Sequence, residues 1–275
     1  MDVHKIEQRV KQKEVNRSYL SYPAFGREPD LIDLDAFKGW IIYEDGHLLV
    51  IDKPGWVVCH PSKHGPLSSL VGAAKVYTEL EVLHLVSRLD RETSGVVVIA
   101  KHRKAARELQ MALQERRVEK SYLAILVGTL TEPVDVDAPL AKDVDSPVAA
   151  RVTVRASRTA RKAHSRFELI TFNEKFSLVR VRPVTGRKHQ IRAHALHLGH
   201  PLVGDKIYGP DDTLFLEFIE HGWTARLGQH LAMRRQALHA ERVCFGNGLE
   251  FKTPIAWDMQ QFCEAHGLEG SSTVI

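Results

Sequence analysis

Asp90 lies in the run SRLDRETSG, Ser87 to Gly95, between Arg88 and Arg91. Thr93, Ser94 and Gly95 follow it, and then the apolar run Val96 to Ala100. Solubility is a poor reason to set a carboxylate among cations at the entrance to a strand. A neighbouring guanidinium favours the ionised form of an acid. The pattern therefore suits a reactive carboxylate that stays charged.

A second segment with chemical potential is TGRKHQIRAHALHL, Thr185 to Leu198. On a helix over 189–198, Ile191, Ala195 and Leu198 share one face, while His189, Arg192 and Leu196 occupy another. Arg192 can then point away from the core into a cleft. The preceding turn, Thr185-Gly186-Arg187-Lys188, offers two cations and free backbone N–H groups at a helix start, a sound phosphate site. An ordinary basic helix cap is the alternative reading of the same turn.

Other candidates carry less. His194 and His197 have chelating spacing, but no HExxH glutamate accompanies them and Gly199 separates His200 from the helix. Packing or solvated histidines are expected there, and no metal. Asp135-Val136-Asp137 lacks the glycine and terminal glutamate of a calcium loop and is flanked by Pro133 and Pro139, so it reads as a turn or strand edge. Neither GxxxxGK[ST] nor GxGxxG occurs, which argues against nucleotide-driven chemistry. No nucleophile elbow surrounds Ser69 or Ser94.

These residues need elements to hold them. WIIYEDGHLLVIDKP predicts a hairpin about Asp45-Gly46. Val96–Ala100 reads as a buried strand, residues 103–116 as an amphipathic helix, and 122–128 as a strand. Further strands are expected in RVTVRAS, HSRFELITF, FSLVRVRPV and ALHAERVCF, with Gly199 stopping the 189–198 helix. Strands outnumber helices without regular βαβ alternation, which predicts an α+β fold with a mixed, largely antiparallel sheet and flanking helices. One catalytic domain is expected over 39–265, preceded by a partly ordered arm, 1–38, and followed by a flexible tail, 266–275.

The 275 residues, 44% hydrophobic and 26% charged, suffice for a sizeable core. No apolar run approaches the roughly 18 residues of a membrane span, and the polar N-terminus does not resemble a secretory signal. Three scattered cysteines suit a reducing compartment, so a cytoplasmic protein is expected. Net charge is +4. The cations cluster at Arg151, Arg155, Arg158, Arg161 and Lys162, and again at Arg180, Arg182, Arg187, Lys188 and Arg192. Acids gather at Asp135, Asp137, Asp143 and Asp145. Such segregation reads either as a basic groove for a polyanion or as a solvated face.

Five segments in order over residues 40–260 resemble the RluA-type pseudouridine synthases. They are DKPGWVVCHP with Lys53-Pro54; SRLDRETSGVVVIAK; VEKSYLAILVG with Lys120, Tyr122, Ala124 and Gly128; RPVTGRKHQIRAHALHLGHPLVGDKIYG; and ALHA, Ala237 to Ala240. One departure is visible: Ser87 stands where the family usually has histidine. Residues 1–39 also look too short for the extra RNA-binding domain of some members.

The resemblance implies a pseudouridine synthase fold with a central RNA-binding cleft. It also implies an enzyme that isomerises uridine to pseudouridine in ribosomal or transfer RNA. Asp90 matches the catalytic aspartate, Tyr122 the tyrosine that stacks on uracil and is implicated in removing its carbon-5 proton, and Arg192 the arginine that pairs with the aspartate. Arg88 matches the arginine that helps displace the target nucleotide, and Leu238 a wall of the base pocket. Lys53, Thr185, Gly186, Arg187, His189 and Gln190 are expected on the substrate side. The isomerisation needs no oxidant, energy donor or metal, so no cofactor is expected. A monomer is expected as well. The competing reading is an RNA-binding protein that has lost catalysis.

Overall fold

The computed structural model describes residues 31–60 and 65–268. Most of the expected arm and tail, residues 1–30 and 269–275, lies outside these. Helix α1 (Leu34–Trp40) straddles the boundary drawn at residue 39. Asp33 caps it, accepting from the Ala36 N–H at 2.8 Å, and Phe37 is fully buried. At the other end, His266 stacks on Phe262 at 4.0 Å between ring centroids and Leu268 is fully buried.

Strands β1 (Ile41–Glu44) and β2 (Leu48–Lys53) form the hairpin expected about Asp45-Gly46. Asp45 closes its turn by accepting from the His47 and Leu48 N–H groups, each at 2.7 Å. Helix α2 (Leu70–Thr78) and the short β3 (His84–Leu85) lead to β4 (Ser94–Ala100), every residue of which is buried. Helix α3 (Arg103–Gln114) covers one face, and β5 (Val118–Val127) carries Tyr122. Next come β6 (Val134–Asp137), the small hairpin β7 (Leu140–Lys142) with β8 (Val152–Val154), β9 (His164–Phe172) and β10 (Phe176–Pro183). Helix α4 (Gln190–His197) ends at the expected glycine, Gly199, at φ +80°. Helices α5 (Thr213–His221) and α6 (Ala225–His230), strands β11 (Leu238–Phe245) and β12 (Glu250–Lys252), and α7 (Trp257–Ala265) complete the described chain.

The fold is α+β. Eight strands run in the order β1-β2-β4-β11-β5-β10-β9-β6, with β12 on β11 and β3 on β4, and β7-β8 form a separate sheet. Among the described residues, only the β4–β11 pair is parallel. That junction explains Gly95. Its φ is +108°, and a Cβ there would lie 2.2 Å from the carbonyl oxygen of Ala240. A side chain would part the two strands just after the Asp90 loop.

Four helices fall where no helix was expected: α2, α5, α6 and α7. Helices α5 and α6 bury Leu214, Phe218 and Leu227 against Trp56 and Trp223 in a satellite core. Their apolar residues are too few and too local for the sequence period to separate them from loop. No helix among the described residues is long and apolar enough to cross a membrane.

Candidate active site

The Asp90 loop is tied down by five side chains. Lys53, fully buried, donates to the carbonyls of Pro54, Val57 and Arg91 at 2.8, 2.9 and 3.1 Å. Arg91 donates in turn to the Trp56 carbonyl at 3.1 Å. Arg235 donates to the Glu92 carbonyl at 2.9 Å. Lys206 grips the Glu92 carboxylate at 3.0 Å, and the Gln236 side chain donates to Thr93 Oγ1 at 2.8 Å. A loop so over-determined holds its carboxylate still before any ligand arrives.

Arg192 of α4 meets that carboxylate. Its Nη1 donates to Asp90 Oδ2 at 3.0 Å, while Nε and Nη2 donate to Asp205 at 2.7 and 2.8 Å. Asp205 also accepts from the Ile207 and Tyr208 N–H groups, both at 3.0 Å. Side-chain exposure sorts the three: Asp205 0%, Arg192 6%, Asp90 31%. Asp90 alone is open enough to meet a substrate. Burial raises the Asp90 carboxyl pKa, but the Arg192 charge and hydrogen bond more than offset this and leave it below the ordinary value.

His189, the first residue before α4, adopts a left-handed φ of 52°. That conformation brings its Nε2 to 3.8 Å from Asp90 Oδ2. Its Nδ1 lies 3.1 Å from the Tyr208 hydroxyl, which already accepts from the Val152 N–H at 3.0 Å. A phenol proton donated to Nδ1 would leave the His189 proton on Nε2, facing Asp90. Burial and the Arg192 charge push the His189 pKa down to about 4. At neutral pH it is a neutral donor rather than a cation.

Tyr122 on β5 packs into both core clusters that flank the sheet at this point, one of which includes Leu238. Burial, assisted by the Asp90 charge, raises its phenol above the ordinary value, so it stays protonated. Arg88 is exposed and makes no hydrogen bond or ion pair among the described residues. Its guanidinium is free to move.

Several expected substrate contacts are placed elsewhere. Lys53 does not reach the cleft, because its ammonium is spent on three carbonyls. Gln190 is buried and braces its own turn. It accepts from Thr185 Oγ1 at 2.6 Å and the Arg187 N–H at 3.0 Å, and donates to the His164 carbonyl and Ser165 Oγ at 2.9 Å. The Arg187 N–H is therefore not free for a phosphate. Gly186, Arg187 and Lys188 remain exposed. His194 is a packed histidine, 3.0 Å from both Ser165 Oγ and the Ala138 carbonyl.

The charge segregation seen along the chain is cancelled in space for five of the ten clustered cations, while Arg158, Arg161, Lys162, Arg187 and Lys188 have no ion pair among the described residues. Arg151 pairs with Asp143 and Asp212, Arg155 with Asp145, Arg166 with Asp135, Arg180 with Glu241 and Arg182 with Glu168. Strand β6, which carries Asp135, lies against β9, which carries Arg166. A basic groove made from whole clusters is thereby reduced to a few exposed cations. Asp205, Tyr208, Glu92, Lys206 and Arg235 had no assigned role in the sequence. For Asp205 and Tyr208, the signal available was their place in GDKIYG, shortly after Arg192.

Comparison with known proteins finds one family in sequence and in structure. The family model described as RNA pseudouridylate synthase matches residues 47–197. The uncharacterized RNA pseudouridine synthase YhcT of Bacillus subtilis is 32% identical over 239 residues, covering 82% of this chain and 72% of the relative. Ribosomal large subunit pseudouridine synthase C of Escherichia coli K12 is 38% identical over 182 residues, covering 66% of this chain but only 56% of that protein. Among solved structures, human RNA pseudouridylate synthase domain containing 4 superposes with a TM-score of 0.66 at 26% identity, covering 84% of this chain and 94% of that one.

Proposed function

This chain belongs to the RNA pseudouridylate synthase family and is an RNA pseudouridine synthase, and from that premise we propose that it isomerises specific uridines of structured ribosomal or transfer RNA, with Asp90 as the catalytic carboxylate. The observation that carries the reading is the Arg192 guanidinium bonded to Asp90 at 3.0 Å while Asp205 anchors it from behind.

The isomerisation breaks the bond between ribose and uracil nitrogen, turns the base and rejoins it through carbon. Asp90 serves either by attacking the sugar or by removing a proton in an elimination. Both routes require it ionised, which Arg192 ensures. Tyr122 offers the uracil an aromatic face, and Leu238 closes the pocket that retains the detached base. His189 presents Nε2 towards the same carboxylate, 3.8 Å from Asp90 Oδ2. No redox or energy-donating partner is needed for an isomerisation.

A glycosidic bond inside a stacked helix is out of reach, so the uridine is flipped out. Arg88 is the side chain suited to the vacated space, being exposed, unpaired among the described residues and planar. The ribosomal assignment is favoured by the similarity to a large-subunit enzyme.

The test compares wild type and Asp90→Ala on isolated ribosomal and transfer RNA, with pseudouridine mapped by chemical sequencing. Wild type is expected to convert a small number of sites and the variant none, with its fold intact by circular dichroism. Conversion by Asp90→Ala at the wild-type rate would overturn the role of Asp90. A wild type that binds RNA but modifies none would favour the non-catalytic reading.

A further inference from the structure

Beside the site, the β7–β8 hairpin and the turn before α4 border an open pocket of about 370 Å³. Lys142, Arg151, Arg161, Arg187 and Lys188 line it, and no acidic residue does. Gly186 also lines it, with open space where a side chain would stand. The remaining wall is Leu140, Ala141 and Val152 from the two strands, with Ala149, Ala150 and Thr159 from the segments flanking β8.

One of the five cations is rigidly placed. Arg151 pairs with Asp212 at 2.6 Å, and its guanidinium lies 5.6 Å from the Tyr208 ring centre. Its buried Nε makes no hydrogen bond, and Asp143 Oδ2 stands 3.4 Å away. These two acids offset the Arg151 charge. Lys142, Arg161 and Lys188 are exposed and have no acidic partner among the described residues. The exposed Arg187 anchors its Nε on the Lys162 carbonyl at 3.0 Å.

Position links this cavity to the carboxylate. Arg187 and Lys188 directly precede His189, which faces Asp90. The Tyr208 ring that contacts Arg151 is also contacted by Arg192, at 5.0 Å. One buried aromatic ring therefore contacts both a cation of the pocket and the arginine that holds Asp90.

We propose that this pocket is a phosphodiester subsite, which binds the RNA backbone next to the target uridine and sets its register over Asp90. The inference rests on the functional reading above and deepens it. Cations around a largely apolar wall with no acid among the lining residues suit a phosphate, because contacts to the backbone position a strand without reading its sequence. An enzyme that must hold a flipped nucleotide needs such an anchor beside the site.

The experiment measures binding of a uridine-containing RNA stem-loop by fluorescence anisotropy across a salt series. It compares wild type, Lys142→Ala, Arg161→Ala, their double variant, and Lys104→Ala. Lys104 is an exposed cation on α3, which packs on a different core. Each pocket variant is expected to weaken binding and flatten the slope of log affinity against log salt by roughly 0.7–0.9 per lost contact. In turnover, KM should rise while kcat at saturating RNA holds. Lys104→Ala should leave slope and KM at wild-type values. If the pocket variants match Lys104→Ala, the subsite is overturned while the functional reading stands. If wild type neither binds nor converts RNA, the functional reading falls and the subsite falls with it.

Discussion

Arg192 gives two nitrogens to Asp205, at 2.7 and 2.8 Å, and keeps only Nη1 for Asp90. The guanidinium is thus anchored from behind and offered forwards. Asp205 is a positioning residue: it fixes the cation that keeps Asp90 ionised.

Asp205→Ala should therefore cost roughly 3–5 kcal/mol of stability, the usual loss when one partner of a buried pair is removed. Urea denaturation measures it. The folded pKa of Asp205 is lowered despite full burial. Its stabilisation is present above the ordinary carboxylate value and lost as pH falls through the folded value. The excess cost of Asp205→Ala should shrink below about pH 4. A cost that is the same at pH 3.5 and pH 7 would contradict the pairing.

Two buried histidines set a separate acid response. Burial pushes His189 and His239 down to about 4 from an ordinary 6.5. Between those values the unfolded chain takes up protons that the native state refuses. Each histidine should lower stability by up to about 1.4 kcal/mol per pH unit as pH drops from about 6.5 towards 4. Asp52, pushed up to about 7 by burial, opposes one of them over the same range, so the net fall should be about that of a single histidine. Denaturation midpoints measured between pH 4.5 and 7.5 check this, and a flat profile would refute it.

The Glu92–Lys206 pair should couple the Asp90 loop to the α5–α6 layer. Lys206 lies 4.9 Å from the Trp56 ring centre and 4.5 Å from that of Phe218, with its side chain 1% exposed. Lys206→Met leaves Glu92 without its cation and should cost about 3 kcal/mol or more. Adding Glu92→Gln should recover part of that loss, giving a coupling energy of about 0.5–3 kcal/mol in a double-mutant cycle. Additive effects would show that the pair does not act as a unit.

Arg88→Ala should discriminate between substrates rather than destabilise the fold. If Arg88 fills the space of the flipped uridine, it offsets an unstacking cost of a few kcal/mol. The turnover rate on a duplexed or tightly folded RNA should then fall about 10- to 100-fold, each 1.4 kcal/mol being tenfold. An unpaired RNA with the same target sequence should be affected far less. Equal losses on both would remove Arg88 from the flipping step.

Much of the scaffold was legible along the chain because its signals are local. The Asp45-Gly46 turn, the unbroken apolar run of β4 and the glycine stop of α4 need only near neighbours. Helices α5 and α6 were not legible, because their apolar residues are organised by Trp56 and Trp223, which stand outside the helical period. Asp90, Tyr122 and Arg192 were named from motifs, and Arg192 does meet Asp90. Lys53 and Gln190 were placed on the substrate side by the same motifs, yet both are spent on internal hydrogen bonds.

By itself, then, the sequence determined the chemical types present and the order of the longer strands along the chain, but not the short β3, β7 and β12, since residue identity and short-range periodicity are carried one position at a time. Tertiary structure alone decided which charges are free. Cations and acids that occupy separate stretches are brought together by strand pairing, as Arg166 is with Asp135. A few exposed cations escape that cancellation. Asp205 closes on Arg192 because the chain turns back after α4, where its two N–H bonds and the guanidinium hold a buried carboxylate that burial alone would have neutralised.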